Sequence, residues 1–499
     1  MDLSLLSKEF KSQKILEGTD VSGSNEPDRI SHLPDGLLCY ILSFLPTKFA
    51  ARTAVLSTRW KDLWILVPSL DFEINPRDNY KGEIERFANF VDRLLVIRDH
   101  LSIREFRFAC GERFDFERLY AWMWIVIMSN IQVLHLHVES LVAVGELPWS
   151  LFSSKSLVVL KLSGRFVLAI PFTVSLPSLK VLCLKSVIYT NDVSIEKLLS
   201  CCPILEDLKI SRERWDNCLN SVISHPSLKR LTFEFYGDTS MGSFREAAGR
   251  FKYKLSVKAP NLEYLKLEDY TSDHILVDFM PCLNEADISV MNLKKEDYWT
   301  RNQRCRYGRS ICGMLQNLSK VKHLSLSGDT LRGIRTVFDG RLLIFHNLVR
   351  LVLGYDYLHG PTLLPPLLGA CPKLQSIVLP DGMTSTCQEM GIDMDQYVEY
   401  RWKPPKDVPE CLLFTLKNIE IKCFCGEEPE ELRLVKFLLK NAVVLEKMTL
   451  FCHEYCDDIY SFRDELMSYK RGSAACQLEI FPEVYSSAHH YELEFERGH

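Results

Sequence analysis

Near its C-terminal end this chain of 499 residues gathers Cys423, Cys425, Cys452, His453 and Cys456. Cysteine with histidine is the chemistry of zinc. A structural zinc site takes four such ligands, commonly from paired knuckles. Cys423-x-Cys425 is not knuckle spacing, and the second half offers no clean pair. The spacing favours Cys423 and Cys425 beside one strand and the others in its neighbour, with no metal bound. A second set, Arg301, Arg304, Arg306 and Arg309, could grip a phosphate or an acidic partner; it falls in a long inter-repeat stretch that reads as a solvated loop. A third, Asp393, Asp395 and Glu399, lies in a polar stretch from Asp381 to Glu410. It lacks the further ligands and the glycine of a calcium loop and also reads as a loop. No Gly-x-Ser-x-Gly elbow, phosphate-binding loop, His-Glu-x-x-His helix or dinucleotide fingerprint occurs in a fitting context. The chain is not read as an enzyme, and no cofactor is expected.

Bulk properties narrow the partners. Hydrophobic residues make up 47% and charged ones 25%, and the formal net charge is −5. No basic face of the kind nucleic acid needs is indicated. No apolar core follows a basic start at the N-terminus, and the longest apolar stretches, such as Trp122–Met128, are too short to span a bilayer. A soluble protein of the cytoplasm and/or nucleus, without membrane contact, is expected. The 17 cysteines are odd in number and scattered. They read as reduced thiols, many buried as small hydrophobes. The length exceeds one ordinary core, so several domains or a repeat array are needed.

Repeats answer that need. One pattern returns from residue 103: apolar, two residues, apolar, one residue, apolar. Its thirteen copies are Ile103/Phe106/Phe108, Ile131/Leu134/Leu136, Leu157/Leu160/Leu162, Leu179/Leu182/Leu184, Leu205/Leu208/Ile210, Leu228/Leu231/Phe233, Leu262/Leu265/Leu267, the weaker Leu283/Ala286/Ile288, Val321/Leu324/Leu326, Leu348/Leu351/Leu353, Leu374/Ile377/Leu379, Leu416/Ile419/Ile421 and Leu445/Met448/Leu450. The mean period of about 28 residues lies in the leucine-rich-repeat range. Several copies share a lead-in such as Leu176-Pro177-Ser178-Leu179 or Cys202-Pro203-Ile204-Leu205, in which proline stops a helix or turn and sets the chain extended. Ile195–Cys202 has short helical spacing before one of them. Stacked units give a parallel sheet on the inner face of a curved solenoid.

Side chains alternate across a strand. With the second and third apolar residues inward, the concave face carries Val133/His135, Val159/Lys161, Val181/Cys183, Asp207/Lys209, Arg230/Thr232, Tyr264/Lys266, Glu285/Asp287, His323/Ser325, Arg350/Val352 and Ser376/Val378. This mixed row suits a protein partner better than a polyanion. Arg230, Tyr264, His323 and Arg350 are its candidate substrate contacts; a solvated sheet with no ligand remains open beside that reading.

The N-terminal segment is built differently. Residues 1–26 read as a mobile leader. Pro34 suits the first turn of a helix on which Leu37, Leu38, Ile41, Leu42 and Leu45 form one stripe, ended by Pro46. Thr47 can cap a second helix and Ser57 a third, on which Trp60, Leu63, Trp64 and Val67 share a face. Three helices in about forty residues cannot bury all of these side chains alone, so a partner or the next domain must cover some. Trp60 and Trp64 could instead be the first layer of that domain.

Residues 28–70 resemble the F-box of plant F-box proteins. Leu33-Pro34, Ile41-Leu42-Ser43-Phe44-Leu45-Pro46 and Leu56-Ser57-x-Arg59-Trp60-x-x-Leu63-Trp64 carry the likeness. The resemblance implies docking on a Skp-type adaptor, and through it a cullin, with Leu33, Pro34, Leu37, Leu38, Ile41, Leu42, Leu45, Leu56 and Trp60 facing the adaptor or supporting that face. Trp402-Lys403-Pro404-Pro405, Val408-Pro409-x-Cys411-Leu412 and Leu438-Leu439-Lys440-Asn441-Ala442 resemble the FBD segment that follows F-box and leucine-rich repeats in plants. There a helix over Glu431–Leu439, ended by Asn441, and strands at Leu416–Ile421 and Val444–Leu450 are expected to close the array. The expected α/β organisation is a leader (1–26), a three-helix F-box (27–73), a curved repeat solenoid (100–400), an FBD-type segment (401–475) and a tail (476–499). The resemblance implies a non-catalytic substrate receptor of a cullin-based ubiquitin ligase that binds a protein substrate. Alternatives are a scaffold without ligase output, or a small-molecule co-receptor, which would need a deep pocket the sequence does not show.

Overall fold

A computed structural model describes residues 30, 32–74, 81–98, 101–111, 114–140, 143–213, 216–235, 252–290, 300–338, 343–355, 360–382, 404–424, 426, 429–452 and 459–482. The chain divides into two units, Met1–Val67 and Pro68–His499.

In the first unit, Pro34 stands at the N-cap of helix α1 (Asp35–Leu42) and Pro46 at that of α2 (Thr47–Arg52). Both prolines sit where the missing N–H costs nothing. The Ser43 hydroxyl donates to the Tyr40 carbonyl at 2.6 Å as α1 ends. A 3-10 turn, Thr53–Val55, follows α2. The third helix is shorter than the spacing predicts: α3 covers only Leu63–Leu66, and Ser57 does not cap it. Residues 58–62 form turns instead, and from them Arg59 reaches back to the Asp35 carboxylate at 2.6 Å and to the Leu33 carbonyl.

In the second unit every one of the thirteen triplets forms a strand. Their middle residues pair in one unbroken register, from Phe106 and Leu134 through Ala286 and Leu324 to Ile419 and Met448. The second and third residues of each triplet are buried; each large side chain so placed contributes about 1.5–3 kcal/mol. Each strand begins with the same bond pattern. One carbonyl accepts from two successive N–H groups of the next repeat, as Arg104 does from Gln132 and Val133, and Lys180 from Glu206 and Asp207. The lead-ins add side-chain ties to the preceding repeat: Ser178 donates to the Lys155 carbonyl at 2.7 Å and Ser227 to that of Leu205 at 2.8 Å.

The array is longer than the triplets indicated. The sheet has 15 parallel strands in chain order. Ser69–Glu73 precedes the first triplet, pairing Leu70 with Phe106. Gln477–Pro482 follows the last, pairing Leu478 with Met448. The region expected as a tail from 476 therefore starts with a strand, and residues 401–475 do not close the sheet. The expected C-terminal elements do form, as a strand at Asn418–Phe424, a helix at Pro429–Asn441 and a strand at Lys447–Cys452; a further helix, Ile459–Ser468, precedes the last strand.

The same unit also holds helices and two three-stranded sheets, one of them formed by Asn220–Ser224, Lys254–Lys258 and His274–Val277. The helix read from Ile195–Cys202 is Ser194–Ser200. The arginines Arg301, Arg304, Arg306 and Arg309 are not in a loop, contrary to expectation. They lie on a helix of 17 residues, Arg301–Asn317. Thr300 and Gln303 form its capping box, and Tyr307, Gly308, Ile311, Met314 and Leu315 are its buried face. Ser310 and Asn317 tie it to the carbonyls of Ile275 and Val277 at 2.9 and 2.7 Å. Gly308 meets the helix Gly328–Arg335 so closely that a Cβ there would stand 2.6 Å from the Gly333 carbonyl oxygen. Inside the unit, the buried Arg212 makes a two-pronged ion pair with Asp216 at 2.6 and 2.7 Å, and its guanidinium stacks on Phe235 at 4.2 Å.

Candidate functional site

Two surfaces stand out. The first belongs to the N-terminal unit. On α1, Leu38 and Leu42 are buried while Leu37 and Ile41, one residue earlier in each pair, are exposed. Leu45 and Leu56 are exposed, the latter by 63%, Pro34 is exposed and Leu33 half-buried. Trp60 is buried, as is Trp64, whose indole N–H donates to the Lys61 carbonyl at 3.1 Å. The nine positions thus split into Pro34, Leu37, Ile41, Leu45 and Leu56 outward, Leu38, Leu42 and Trp60 inward, and Leu33 between. Three further exposed residues join the outward set: Phe44 (68% exposed), Phe49 and Val55 (78%). Burial alone picks them out; their signal in sequence was the excess of apolar side chains over what so small a unit can cover. Tyr40 and Phe44 pack edge to face at 4.9 Å.

The second surface is the open face of the sheet. The four candidate substrate contacts share one register row: Arg230 is opposite Tyr264, Tyr264 opposite Glu285, Glu285 opposite His323 and His323 opposite Arg350. Arg230 is engaged within the molecule, stacked on the Tyr264 ring at 4.4 Å and 3.9 Å from Asp207. His323 and Arg350 are exposed. Lys209 and Lys266 reach the Glu234 carboxylate at 3.4 and 3.9 Å, and Lys266 reaches Glu268 at 3.1 Å.

The outward assignment has two exceptions, Val378 and His135, both buried. His135 is only 5% exposed, and neither ring nitrogen has a hydrogen-bond partner among the described residues. Burial, and then the neighbouring Lys161 and Arg107 charges, push its pKa down to about 3. Strand alternation predicts the face correctly but not the depth.

The other sets placed by sequence lead elsewhere. Cys423 lies at a bulge near the end of its strand, and Cys452 pairs with Phe424 next door; Cys425, His453 and Cys456 lie outside the described residues, as do Asp393, Asp395 and Glu399. No group of three or more His, Cys, Asp or Glu that could hold a metal occurs among the described residues. The described cysteines are free thiols, and burial pushes Cys202, Cys371 and Cys411 up to about 12. Among the described residues no helix is long and apolar enough to cross a membrane.

Comparison with known proteins agrees with this geometry. The F-box domain model matches residues 30–71, the FBD model residues 403–450, and the model for the LRR repeats of FBD-associated F-box protein At5g56370 residues 119–292. The F-box/FBD/LRR-repeat protein At5g22660 of Arabidopsis thaliana is 32% identical, over 91% of this chain and 96% of its own length. From the same plant, the putative FBD-associated F-box protein At3g50710 is 32% identical over 90% of this chain and 99% of its own, and F-box/LRR-repeat protein 13 is 32% identical over 86% and 90%. Likeness at that level along nearly the whole chain means that it belongs to the plant family of F-box/FBD/LRR-repeat proteins.

Proposed function

We propose that this chain is the substrate-recognition subunit of a cullin-RING (SCF-type) ubiquitin ligase. The F-box segment of the N-terminal unit docks on a Skp-type adaptor that links it to a cullin. The open face of the repeats binds a protein substrate, and the complex works in the cytoplasm and/or nucleus. The observation that carries the docking half is the apolar surface of that unit. Leu37, Ile41, Phe44, Leu45, Val55 and Leu56 are exposed together on a few dozen residues, a density that marks interaction surfaces. Pro34, Leu37, Ile41, Leu45 and Leu56 are the adaptor contacts in this reading; Leu38, Leu42 and Trp60 support them from beneath. The chain supplies no chemistry of its own. It holds a substrate lysine near a charged ubiquitin carrier, so its contribution is proximity and orientation.

The test is co-purification of the full chain with a Skp-type adaptor. Ile41→Glu combined with Leu56→Glu alters exposed positions only, so the thermal melt should stay within a few degrees while adaptor capture falls at least tenfold. Undiminished capture would refute the docking assignment. Proximity labelling with the intact and the doubly substituted chain then tests ligase output: partners whose abundance falls only with the intact chain and an active cullin mark a receptor. Adaptor binding with no such partner marks a scaffold.

A further inference from the structure

The open face of the sheet is not uniform. Its outward residues form a grid, and across three adjacent strands the grid holds no acid. Val133, Val159 and Val181 occupy one register row, His135, Lys161 and Cys183 the next, and His137, Ser163 and Lys185 the third, with His137 opposite Ser163 and Ser163 opposite Lys185. Acids begin on the flanking strands, with Glu105 on one side and Asp207 on the other; Glu139, just past one strand end, faces His137 at 3.7 Å.

Within this patch the two lysines differ from the other cations of the face. Neither Lys161 nor Lys185 has an ion-pair partner among the described residues, whereas Arg107, Lys209, Arg230 and Lys266 on strands to either side all pair with carboxylates. Beside Lys161 the His135 ring is buried with both nitrogens unpartnered among the described residues. A buried polar group without a protein partner is uncommon. The three valines, half-buried and in line, supply an apolar strip spanning two strand spacings, roughly 10 Å.

We propose that this patch, on Val133, His135, Val159, Lys161, Val181 and Lys185, binds an acidic segment of a protein partner, with an aliphatic side chain on the valine strip and carboxylates at Lys161 and Lys185. The proposal rests on the substrate-receptor reading and gives it a substrate class. Charge complementarity selects the occupant: two unpaired ammonium groups with no carboxylate between them attract anions. The acids on both flanking strands repel a continuous polyanion, so a short acidic peptide fits and nucleic acid does not. The two lysines are offset by one strand and two residues, about 8 Å between backbones, a span that matches two separate carboxylates better than one phosphate.

The experiment probes the full chain, expressed together with a Skp-type adaptor and purified through its own tag, against an array of synthetic octapeptides that alternate valine with glutamate, glutamine, lysine or phosphoserine. The glutamate series should be retained at least tenfold above the glutamine and lysine series, and retention should fall as salt rises. Lys161→Glu with Lys185→Glu should abolish the preference. The milder Lys161→Gln with Lys185→Gln should weaken it severalfold, while Arg350→Glu, on the same face outside the patch, should leave it intact. Melting curves of each variant report folding. Equal retention of glutamate and glutamine peptides, preference for phosphoserine over glutamate, or a preference that survives both lysine pairs in folded protein would overturn the proposal. Adaptor capture on the same preparation separates the two ideas. Adaptor bound without acidic-peptide preference refutes the patch and leaves the receptor reading standing; loss of adaptor binding by the unaltered chain refutes the receptor reading itself.

Discussion

His135 and Arg212 show two ways a polar side chain can be buried in one array. Arg212 brings its partners with it: the Asp216 carboxylate satisfies two of its donors, the Cys218 carbonyl and Ser221 hydroxyl take others, and Phe235 covers its face. A paired buried charge of this kind adds little net stability but is costly to break. His135 has no such set among the described residues, and burial and then the Lys161 and Arg107 charges disfavour its proton. Its folded pKa of about 3 lies below the ordinary 6.5. Between those values the unfolded chain takes up a proton that the folded chain refuses, so stability declines as pH falls through that window. His135→Leu removes the site. The variant should therefore lose less stability than the unaltered protein between pH 6.5 and 4, by at most about 1.4 kcal/mol per pH unit. Parallel denaturant titrations at each pH check this; parallel slopes in the two proteins would show that His135 is not held neutral.

At the scale of elements, the strands were legible and the helix Arg301–Asn317 was not. A strand here needs only its own triplet and the proline lead-in, both local. The helix carries four arginines on a polar surface, a composition shared with solvated loops, and its local helix signals are only Thr300-x-x-Gln303 and the spacing of Tyr307, Ile311, Met314 and Leu315. Its place is set by Gly308, where the helix Gly328–Arg335 approaches too closely for a side chain. Gly308→Ala should cost about 1–3 kcal/mol by forcing the helices apart. Gly313→Ala, on the same helix with open space around it, should be stabilising by about 0.5–1 kcal/mol. Equilibrium unfolding of the two variants compares them directly, and equal effects would remove the close approach as the explanation.

At the scale of the whole molecule, the repeat unit behaves as a stack in which each strand depends on its neighbours. The last strand, Gln477–Pro482, therefore protects the one before it. Lys447 pairs with Glu479 at 2.8 Å, and Phe451 stacks on Phe481 at 5.7 Å. Ending the chain after Ser473 would bare the edge of Lys447–Cys452 and expose Phe451. Such edges template aggregation. The truncated protein should show lower soluble yield and high-mass species in size-exclusion chromatography, whereas ending it after Pro482 should not.

By itself the sequence determined the repeat register, the face of the sheet on which each side chain stands and the kinship of both ends. Each of these follows from a short local pattern: triplet spacing, strand alternation, and the motif from Leu33 to Trp64. Tertiary structure decided the rest. It split the N-terminal stripe into an exposed row through Leu37 and Ile41 and a buried one through Leu38 and Leu42, and it extended the sheet to 15 strands. It buried His135 and left Lys161 and Lys185 without an ion-pair partner among the described residues. Burial and pairing depend on residues far apart in the chain, and local spacing carries no record of which of them will meet.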